Sequence, residues 1–245
     1  MDLTRWLPIL ILAGLAVIAY ALFTESSYEK FYKKGLDYYR AGKYERASTE
    51  FLKAISEAQE GTSAKARQVL VDSYLLNGEV LDLTLGRYRQ AIANYQELAD
   101  LYPNDPGSRT ALLRLAQIQS DKLNQPIEAI RAYKQLIERW PSAPETQPLR
   151  RRILESYVAA HEFEQTVVEG RQFLAEQPQA AWAPEALFLV ADALTYQEKW
   201  AEAVQGYVRI RDQFPQSPQA RLALFEIGNC QLKLERFAEA LQTYE

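Results

Sequence analysis

The chain contains few side chains of the kinds that catalyse reactions. His161 is its only histidine and Cys230 is its only cysteine. Nucleophilic catalysis needs a nucleophile, a base and a group that orients the base, and the sequence supplies no such set around either residue. His161 lies in the polar stretch AAHEFEQ, which is typical of a turn, and Cys230 lies beside Gly228 in an amphipathic segment. We therefore interpret His161 as a turn residue and Cys230 as a small packed side chain, and we predict that the protein is not an enzyme.

Cofactor and metal sites have equally little support. A single cysteine excludes an intramolecular disulfide, a CxxC site and a multi-cysteine zinc site. Carboxylates are numerous, but no pair has a distinctive spacing, and no strand-to-helix glycine loop that could cradle a phosphate is present. We predict no catalytic residue, no cofactor and no metal ion.

Charge limits the class of partner. The 245 residues include 28 Lys and Arg against 32 Asp and Glu, which gives a formal net charge of −4, whereas nucleic-acid-binding domains carry a basic surface. Nucleic acid is therefore not an expected partner. The arginine run 150–152 could bind an acidic partner, but we interpret it as the solvated start of a helix.

A small residue that recurs along the chain is the most regular feature of the sequence. Its six occurrences are separated by 44, 38, 37, 37 and 37 residues. An aromatic residue stands three positions before it in five of the six units and four positions after it in five of six. These spacings place the aromatics on one stripe of a helix, with the small residue where two helices can approach closely. The six residues are Ala47, Ala91, Ala129, Thr166, Ala203 and Ala240.

Each of these helices is preceded by a second amphipathic segment and followed by a stop signal. Pro stands twelve positions after the small residue in four of the five units long enough to show it, and Pro ends a helix. No stretch shows a sustained period of two, so strands are not expected. Stacked helix pairs can share a core that one pair cannot form alone. We therefore predict an all-α solenoid of about six helix-turn-helix repeats over residues 28–245.

The repeats resemble the tetratricopeptide repeat, a helix-turn-helix module. The first unit carries the family positions as Gly35, Tyr38, Ala47, Phe51 and Ala54, and the last carries them as Gly228, Phe237, Ala240 and Tyr244. The period of 37 exceeds the 34 that is typical of the family. Unit ends such as LYPNDPGS (101–108), RWPSAPET (139–146) and QFPQSPQA (213–220) are similar to the subclass found in bacterial envelope assembly proteins of the BamD and YbgF/CpoB type.

Some units depart from the family pattern. Pro126 replaces a turn aromatic, Gly170 replaces a second-helix aromatic, and about seven residues are inserted within 77–88. We expect these units to be looser or locally irregular. The last unit has only five residues after Ala240 and shows no polar cap, which leads us to expect that the chain is truncated within its sixth repeat.

The first residues suggest a membrane segment. Residues 1–5 form a short tail, and residues 6–23 are eighteen residues without a charge. A helix of that length spans about 27 Å, close to the hydrocarbon thickness of about 30 Å, so a transmembrane helix or signal anchor is expected. Cleavage as a signal peptide after Ala21 is the alternative. We expect a single-pass protein whose solenoid is extracytoplasmic (periplasmic) rather than cytoplasmic, since long domains can translocate regardless of charge.

The family resemblance implies where a partner would bind. In tetratricopeptide proteins the first helices line a concave face that holds extended or helical peptides. Aromatic residues beside polar groups suit such capture, although inter-repeat packing could also explain single members of the set. On this chain the positions that would form the peptide-binding groove are Tyr32, Tyr39, Phe188, Asp192, Tyr196, Phe225, Asn229 and Lys233.

Three functional hypotheses follow. The first is a membrane-anchored, non-enzymatic scaffold or adaptor that recruits a protein or peptide partner, in envelope complex assembly. The second is a regulatory or targeting arm of a longer protein whose catalytic domain lies beyond residue 245. The third is a secreted repeat protein released by signal-peptide cleavage.

Overall fold

The computed structural model describes residues 26–144 and 146–245, and in this part of the chain the secondary structure is entirely helical. The predicted membrane span at residues 6–23 lies outside the described residues. The twelve helices are α1 (Ser27–Arg40), α2 (Tyr44–Gln59), α3 (Ala64–Glu79), α4 (Tyr88–Leu101), α5 (Pro106–Gln117), α6 (Pro126–Arg139), α7 (Thr146–Ala159), α8 (Phe163–Glu176), α9 (Ala183–Tyr196), α10 (Trp200–Gln213), α11 (Pro218–Lys233) and α12 (Phe237–Tyr244).

The helices form hairpins of the predicted kind within two compact units. The described residues up to Ala111 belong to unit 1 and those from Leu112 onwards belong to unit 2, so that the division falls within α5. In unit 1, α1 packs against α2, α2 against α3 and α3 against α4, and α1 also contacts α3. In unit 2, α7 contacts α9 and α9 contacts α11, so first helices of successive hairpins are neighbours. The helix-turn-helix prediction is confirmed.

The small residue that defines the repeat lies at the centre of each hairpin. All six occurrences are at most 1 % exposed, as expected where two helices approach closely. The prolines also lie where the pattern placed them: α4, α6, α8 and α10 each end two residues before one. Pro cannot continue a helix because it lacks the amide hydrogen and clashes with the preceding turn. These prolines are Pro103, Pro141, Pro178 and Pro215.

The turn inside each hairpin depends on one residue in the left-handed region. In the first hairpin Gly42 has φ 69°, and the next amide, of Lys43, donates to the Tyr38 carbonyl at 2.8 Å. This bond closes the end of α1 in the manner of a Schellman motif. Four equivalent turns use a residue with a Cβ, which costs about 1–2 kcal/mol in this conformation: Asn124, His161, Glu198 and Glu235 have φ between 50° and 61°. His161 is therefore an exposed turn residue, as predicted.

Two π turns contribute to the uneven spacing of the repeats. α3 continues into a π turn at Val80–Thr84, and α5 continues into one at Ile118–Lys122. The amide of Leu123 donates to the Ile118 carbonyl at 3.1 Å, five residues back. A π turn accommodates one additional residue within a helix, which accounts for the spacing of 38 between the second and third units. The irregularity predicted for residues 77–88 is confirmed.

Close helix approach within a hairpin requires a small residue opposite a large one. A Cβ on Gly35 of α1 would lie 2.7 Å from the Phe51 ring of α2, closer than real side chains approach. The same conflict would arise between Gly78 and the Tyr95 ring, and between Gly228 and the Tyr244 ring. In these three hairpins the aromatic ring of the second helix therefore lies over the glycine of the first.

The fourth hairpin reverses this arrangement. Here the second helix contributes Gly170, which is buried, and the first helix contributes Leu154, whose Cδ1 lies 3.5 Å from where a Gly170 Cβ would be. The Val190 side chain of the next hairpin fills the remaining space against Gly170. The expectation that this unit would be looser is wrong at Gly170, because Leu154 and Val190 occupy the space beside it.

None of the helices within residues 26–144 and 146–245 is both long enough and apolar enough to cross a bilayer.

The glycine contacts lead to a prediction on stability. Gly78→Ala should lower the free energy of unfolding by about 1–3 kcal/mol, because the Tyr95 ring is only 2 % exposed and cannot move away. Gly228→Ala is the matched control: Tyr244 is 44 % exposed and can move, so the better helix propensity of Ala should offset most of the strain. Urea unfolding followed by circular dichroism measures both, and equal losses would contradict this packing scheme.

Candidate protein-interaction surface

The structure separates the eight predicted groove residues into two groups. Tyr32 and Tyr39 lie on α1 in unit 1. The other six lie in unit 2, three on α9 and three on α11, and these two helices contact one another. We refer to the exposed sides of these neighbouring helices as the α9–α11 surface; its predicted members are Phe188, Asp192, Tyr196, Phe225, Asn229 and Lys233.

The two tyrosines of α1 are engaged in packing within unit 1. The Tyr32 ring lies against the Phe51 ring, with 6.2 Å between ring centroids. The Tyr39 hydroxyl donates to Glu79 Oε1 at 2.8 Å, and the Tyr39 ring packs edge-on against Tyr44 at 5.9 Å. The hydrogen bond to Glu79 raises the pKa of Tyr39. For these two residues the geometry favours the packing interpretation.

The aromatic members of the α9–α11 surface differ in exposure. Tyr196 is 64 % exposed and stacks on Phe163 at 4.5 Å, so one ring face is covered within the protein. Phe225 is 58 % exposed and is tilted 6.1 Å from the Tyr244 ring. Phe188 is half-buried, edge-on to the Tyr207 ring at 5.4 Å. Tyr196 and Phe225 can therefore serve as apolar anchors for a partner, while Phe188 also supports the core.

The polar members of this surface surround an acidic pair. The pair consists of Asp192 on α9 and Glu226 on α11: burial, and then the charge of Glu226, raise the pKa of Asp192. The Asn229 amide donates to Glu226 Oε2 at 3.2 Å, and Asn229 Oδ1 accepts from the Tyr244 hydroxyl at 2.8 Å. Among the described residues, neither carboxylate has an ion-pair partner.

Beside the acidic pair the surface forms a pocket of about 540 Å³, lined by Thr195, Trp200, Glu226, Asn229, Cys230, Leu232 and Lys233. The Lys233 ammonium lies over the Trp200 ring, 6.0 Å from its centroid. Cys230 is buried, and burial raises the pKa of its thiol to about 11, so the reactive thiolate is scarce at neutral pH. The interpretation of Cys230 as a packed side chain is confirmed.

Sequence reasoning missed three residues of this site. Glu226, Trp200 and Tyr207 approach the surface, yet only residues at steps of four along α9 and α11 were selected. Glu226 stands three residues before Asn229, on the same side of the helix, and this spacing could have identified it. The position of Tyr207 could not be deduced in this way, because its ring comes from the second helix of the hairpin.

The arginine run on α7 is engaged within unit 2. Arg150 pairs with Glu176 at 3.1 Å, Arg151 with Glu155 at 2.8 Å and Glu185 at 3.0 Å, and Arg152 with Asp121 and Glu155, both at 3.8 Å. These pairs are mostly exposed, and such pairs contribute little to stability. No group of three or more His, Cys, Asp or Glu side chains within the described ranges is arranged to bind a metal ion.

Comparison with known proteins identifies the repeat. The family model of the tetratricopeptide repeat matches residues 81–144 and 188–245. The chain is a tetratricopeptide-repeat protein. No curated protein sequence matches the chain.

Solved structures share the fold of this tetratricopeptide-repeat protein. MamA superposes with a TM-score of 0.51 at 17% identity, covering 68% of this chain and 90% of that chain. A tetratricopeptide repeat protein from Parabacteroides merdae gives 0.51 at 14% identity, covering 89% and 77%. The structure of Naa15/Naa10 bound to HypK-THB gives 0.55 at 15% identity, covering 88% of this chain and 30% of the matched chain. At these identities the likeness concerns the fold alone.

The acidic pair of this tetratricopeptide-repeat protein leads to a prediction on ionisation. Glu226→Gln removes the negative charge that faces Asp192, so the pKa of Asp192 should fall towards its ordinary value. It should remain raised, because burial is the larger cause. Titration of the Asp192 carboxyl carbon by NMR measures the change. Glu164→Gln, at an exposed position on α8, is the control and should leave the pKa of Asp192 unchanged; an equal response to both variants would refute the coupling.

Proposed function

We propose that this tetratricopeptide-repeat protein is a non-enzymatic scaffold that binds a protein or peptide partner on the α9–α11 surface. The observation that carries the proposal is the exposure of two large aromatic side chains, Tyr196 and Phe225, on neighbouring first helices beside polar groups. Exposed aromatics with hydrogen-bonding neighbours are typical of binding hot spots. The similar Naa15/Naa10 structure is bound to HypK-THB, which supports a bound partner as the use of such a fold.

The interior of the hairpins supports a non-enzymatic role. Small residues and aromatic rings fill the helix crossings. The buried amides of unit 1 are engaged with each other: Ser48 donates to Asn77 at 2.7 Å, and Asn77 donates to Asn94 at 2.8 Å. Buried polar groups that satisfy one another in this way hold helices in register and are not free for a substrate.

Site-specific photo-crosslinking tests the proposed surface. A photoreactive phenylalanine analogue at position 196 or 225 should give a discrete adduct in cells, identified by mass spectrometry. The controls are positions 168 and 52, where Val168 and Leu52 are 60 % and 52 % exposed on the second helices α8 and α2. The same adducts at the control positions, or none at 196 and 225, would refute the assignment.

The proposal extends to the location of the protein. We infer that residues 6–23 anchor it in a membrane as a single-pass segment, with the repeats on the extracytoplasmic, periplasmic side, where they serve envelope complex assembly. The eighteen uncharged residues support the anchor, and the unit ends that resemble BamD and YbgF/CpoB proteins support the role. Anchoring raises the local concentration of the surface near membrane complexes, so modest affinity would suffice.

Reporter fusions test the anchor and its orientation. Alkaline phosphatase fused after residue 60 should be active, because it folds only outside the cytoplasm, and a fluorescent protein that requires the cytoplasm should be dark. The fusion should remain in the membrane fraction at high salt, since apolar insertion is not screened by ions. The reverse pattern of reporters would overturn the orientation, and a mature protein that begins after Ala21 would overturn the anchor.

A further inference from the structure

We propose that the α9–α11 surface selects partners that present a lysine or arginine side chain, which enters between Asp192 and Glu226. The inference rests on the proposed function and names the chemistry of the partner. The two carboxylates lie on neighbouring helices, and neither has an ion-pair partner among the described residues. A cationic side chain would supply the missing charge, and Tyr196 and Phe225 would cover its aliphatic stem.

An equivalent cluster earlier in unit 2 contains its own cation. Around the hydroxyl of Tyr133, the carboxylates of Asp121 and Glu155 are bridged by Arg152, whose guanidinium lies 3.8 Å from each. Tyr207 occupies the position of Tyr133 two repeats later, 74 residues along the chain. The residue 74 positions after Arg152 is Glu226. By the same offset Asn229 stands where the earlier hairpin has Glu155. The chain therefore carries a carboxylate where the earlier hairpin carries the cation, so no arginine bridges Asp192 and Glu226, and a partner could supply the positive charge.

The Tyr207 hydroxyl senses the charge of the acidic pair. The side chain is fully buried, as is that of Tyr133 beside Arg152. The hydroxyl lies near Thr195, whose own proton is donated to the Asp192 carbonyl at 2.6 Å. Burial and the charges of Asp192 and Glu226 raise the pKa of Tyr207. A bound ammonium or guanidinium would relieve the negative potential around this hydroxyl.

The acidic pair lowers the stability of the free protein. The pKa of Asp192 is raised in the folded state, so its favourable contribution is present only at low pH and is lost as the pH rises through the folded-state pKa. At neutral pH the ionised Asp192 therefore opposes folding. A charged group that lowers the stability of the free protein at neutral pH is typical of a binding site, where a partner of opposite charge compensates it.

Lys233 is the only cation among the residues that line the adjacent pocket. Its ammonium lies over Trp200 and forms no ion pair with Glu226. It therefore leaves the two carboxylates open to a partner. If Lys233 served as the internal counter-ion of the two carboxylates, Lys233→Met would strengthen the binding of a basic peptide several-fold. Removing both charges, by Asp192→Asn with Glu226→Gln, would then lower the stability of the protein.

Peptide selection with matched variants tests the inference. Random displayed peptides are selected on the full chain in detergent, and also on Glu226→Arg, which places a cation where the earlier hairpin has Arg152. Peptides selected on the wild-type chain should share an aligned Lys or Arg. Replacing that residue by norleucine should weaken binding at least about tenfold, as measured by fluorescence anisotropy. On Glu226→Arg the basic and norleucine peptides should bind equally, and this variant should melt at a higher temperature than the wild type.

The outcomes separate this inference from the proposed function. Selected peptides that compete for the crosslinks at positions 196 and 225 but carry no aligned basic residue would overturn the inference and leave the scaffold proposal standing. Failure to select any peptide, together with no crosslinks, would overturn both. A lower melting temperature for Asp192→Asn with Glu226→Gln would assign the pair a structural role and overturn the inference. The wild-type chain could also self-associate through this surface. If it does, and if the double variant Tyr196→Ser with Phe225→Ser does not, a second copy of the chain occupies the surface and the inference is overturned.

Discussion

The close approach of two helices within each hairpin is the constraint on which the rest of this protein depends. It requires one small residue and one large residue at each crossing, as in the contact of Gly35 with Phe51. Interiors are packed at near-crystalline density, so the pair must conserve volume and either helix may supply the small member. In the fourth hairpin Leu154 and Gly170 exchange these roles, and Val190 of the next hairpin fills the space that remains.

The same constraint explains why the fold was predictable from the sequence. Ala47 and its five counterparts mark each crossing, and the prolines mark each end, so hairpin number and order followed from spacing alone. Local patterns and the global fold agree in such sequences. The turn residues were less visible, because left-handed positions are occupied by Glu198 and Glu235 as well as by Gly42, and the neighbouring hydrogen bonds impose this conformation on a residue that does not prefer it.

Other features could not be predicted because they depend on contacts between helices that are distant in sequence. The π turn at Ile118–Lys122 is revealed in the sequence only as one extra residue, and nothing local distinguishes it from a longer loop. The predicted groove residues lie on α9 and α11, which contact one another, and on α1, which belongs to the other unit. The role proposed for Glu226 depends on its electrostatic effect on Asp192 and Tyr207, which lie on other helices and are distant from it in sequence.

A repeat protein whose interiors are alike can differ in function only where its repeats differ at the surface. All hairpins but the fourth carry an aromatic residue of the second helix at the crossing, so specificity must reside in positions that the crossing does not constrain. The exchange of Arg152 for Glu226 between equivalent positions is such a difference. Where the arginine is present, the carboxylates around the tyrosine hydroxyl are neutralised within the chain. Where the glutamate replaces it, the same framework presents a net negative charge beside two exposed aromatic rings. Together with the replacement of Glu155 by Asn229 at the next turn of the helix, this difference turns an internal ion-pair cluster into a surface whose charge favours a basic partner.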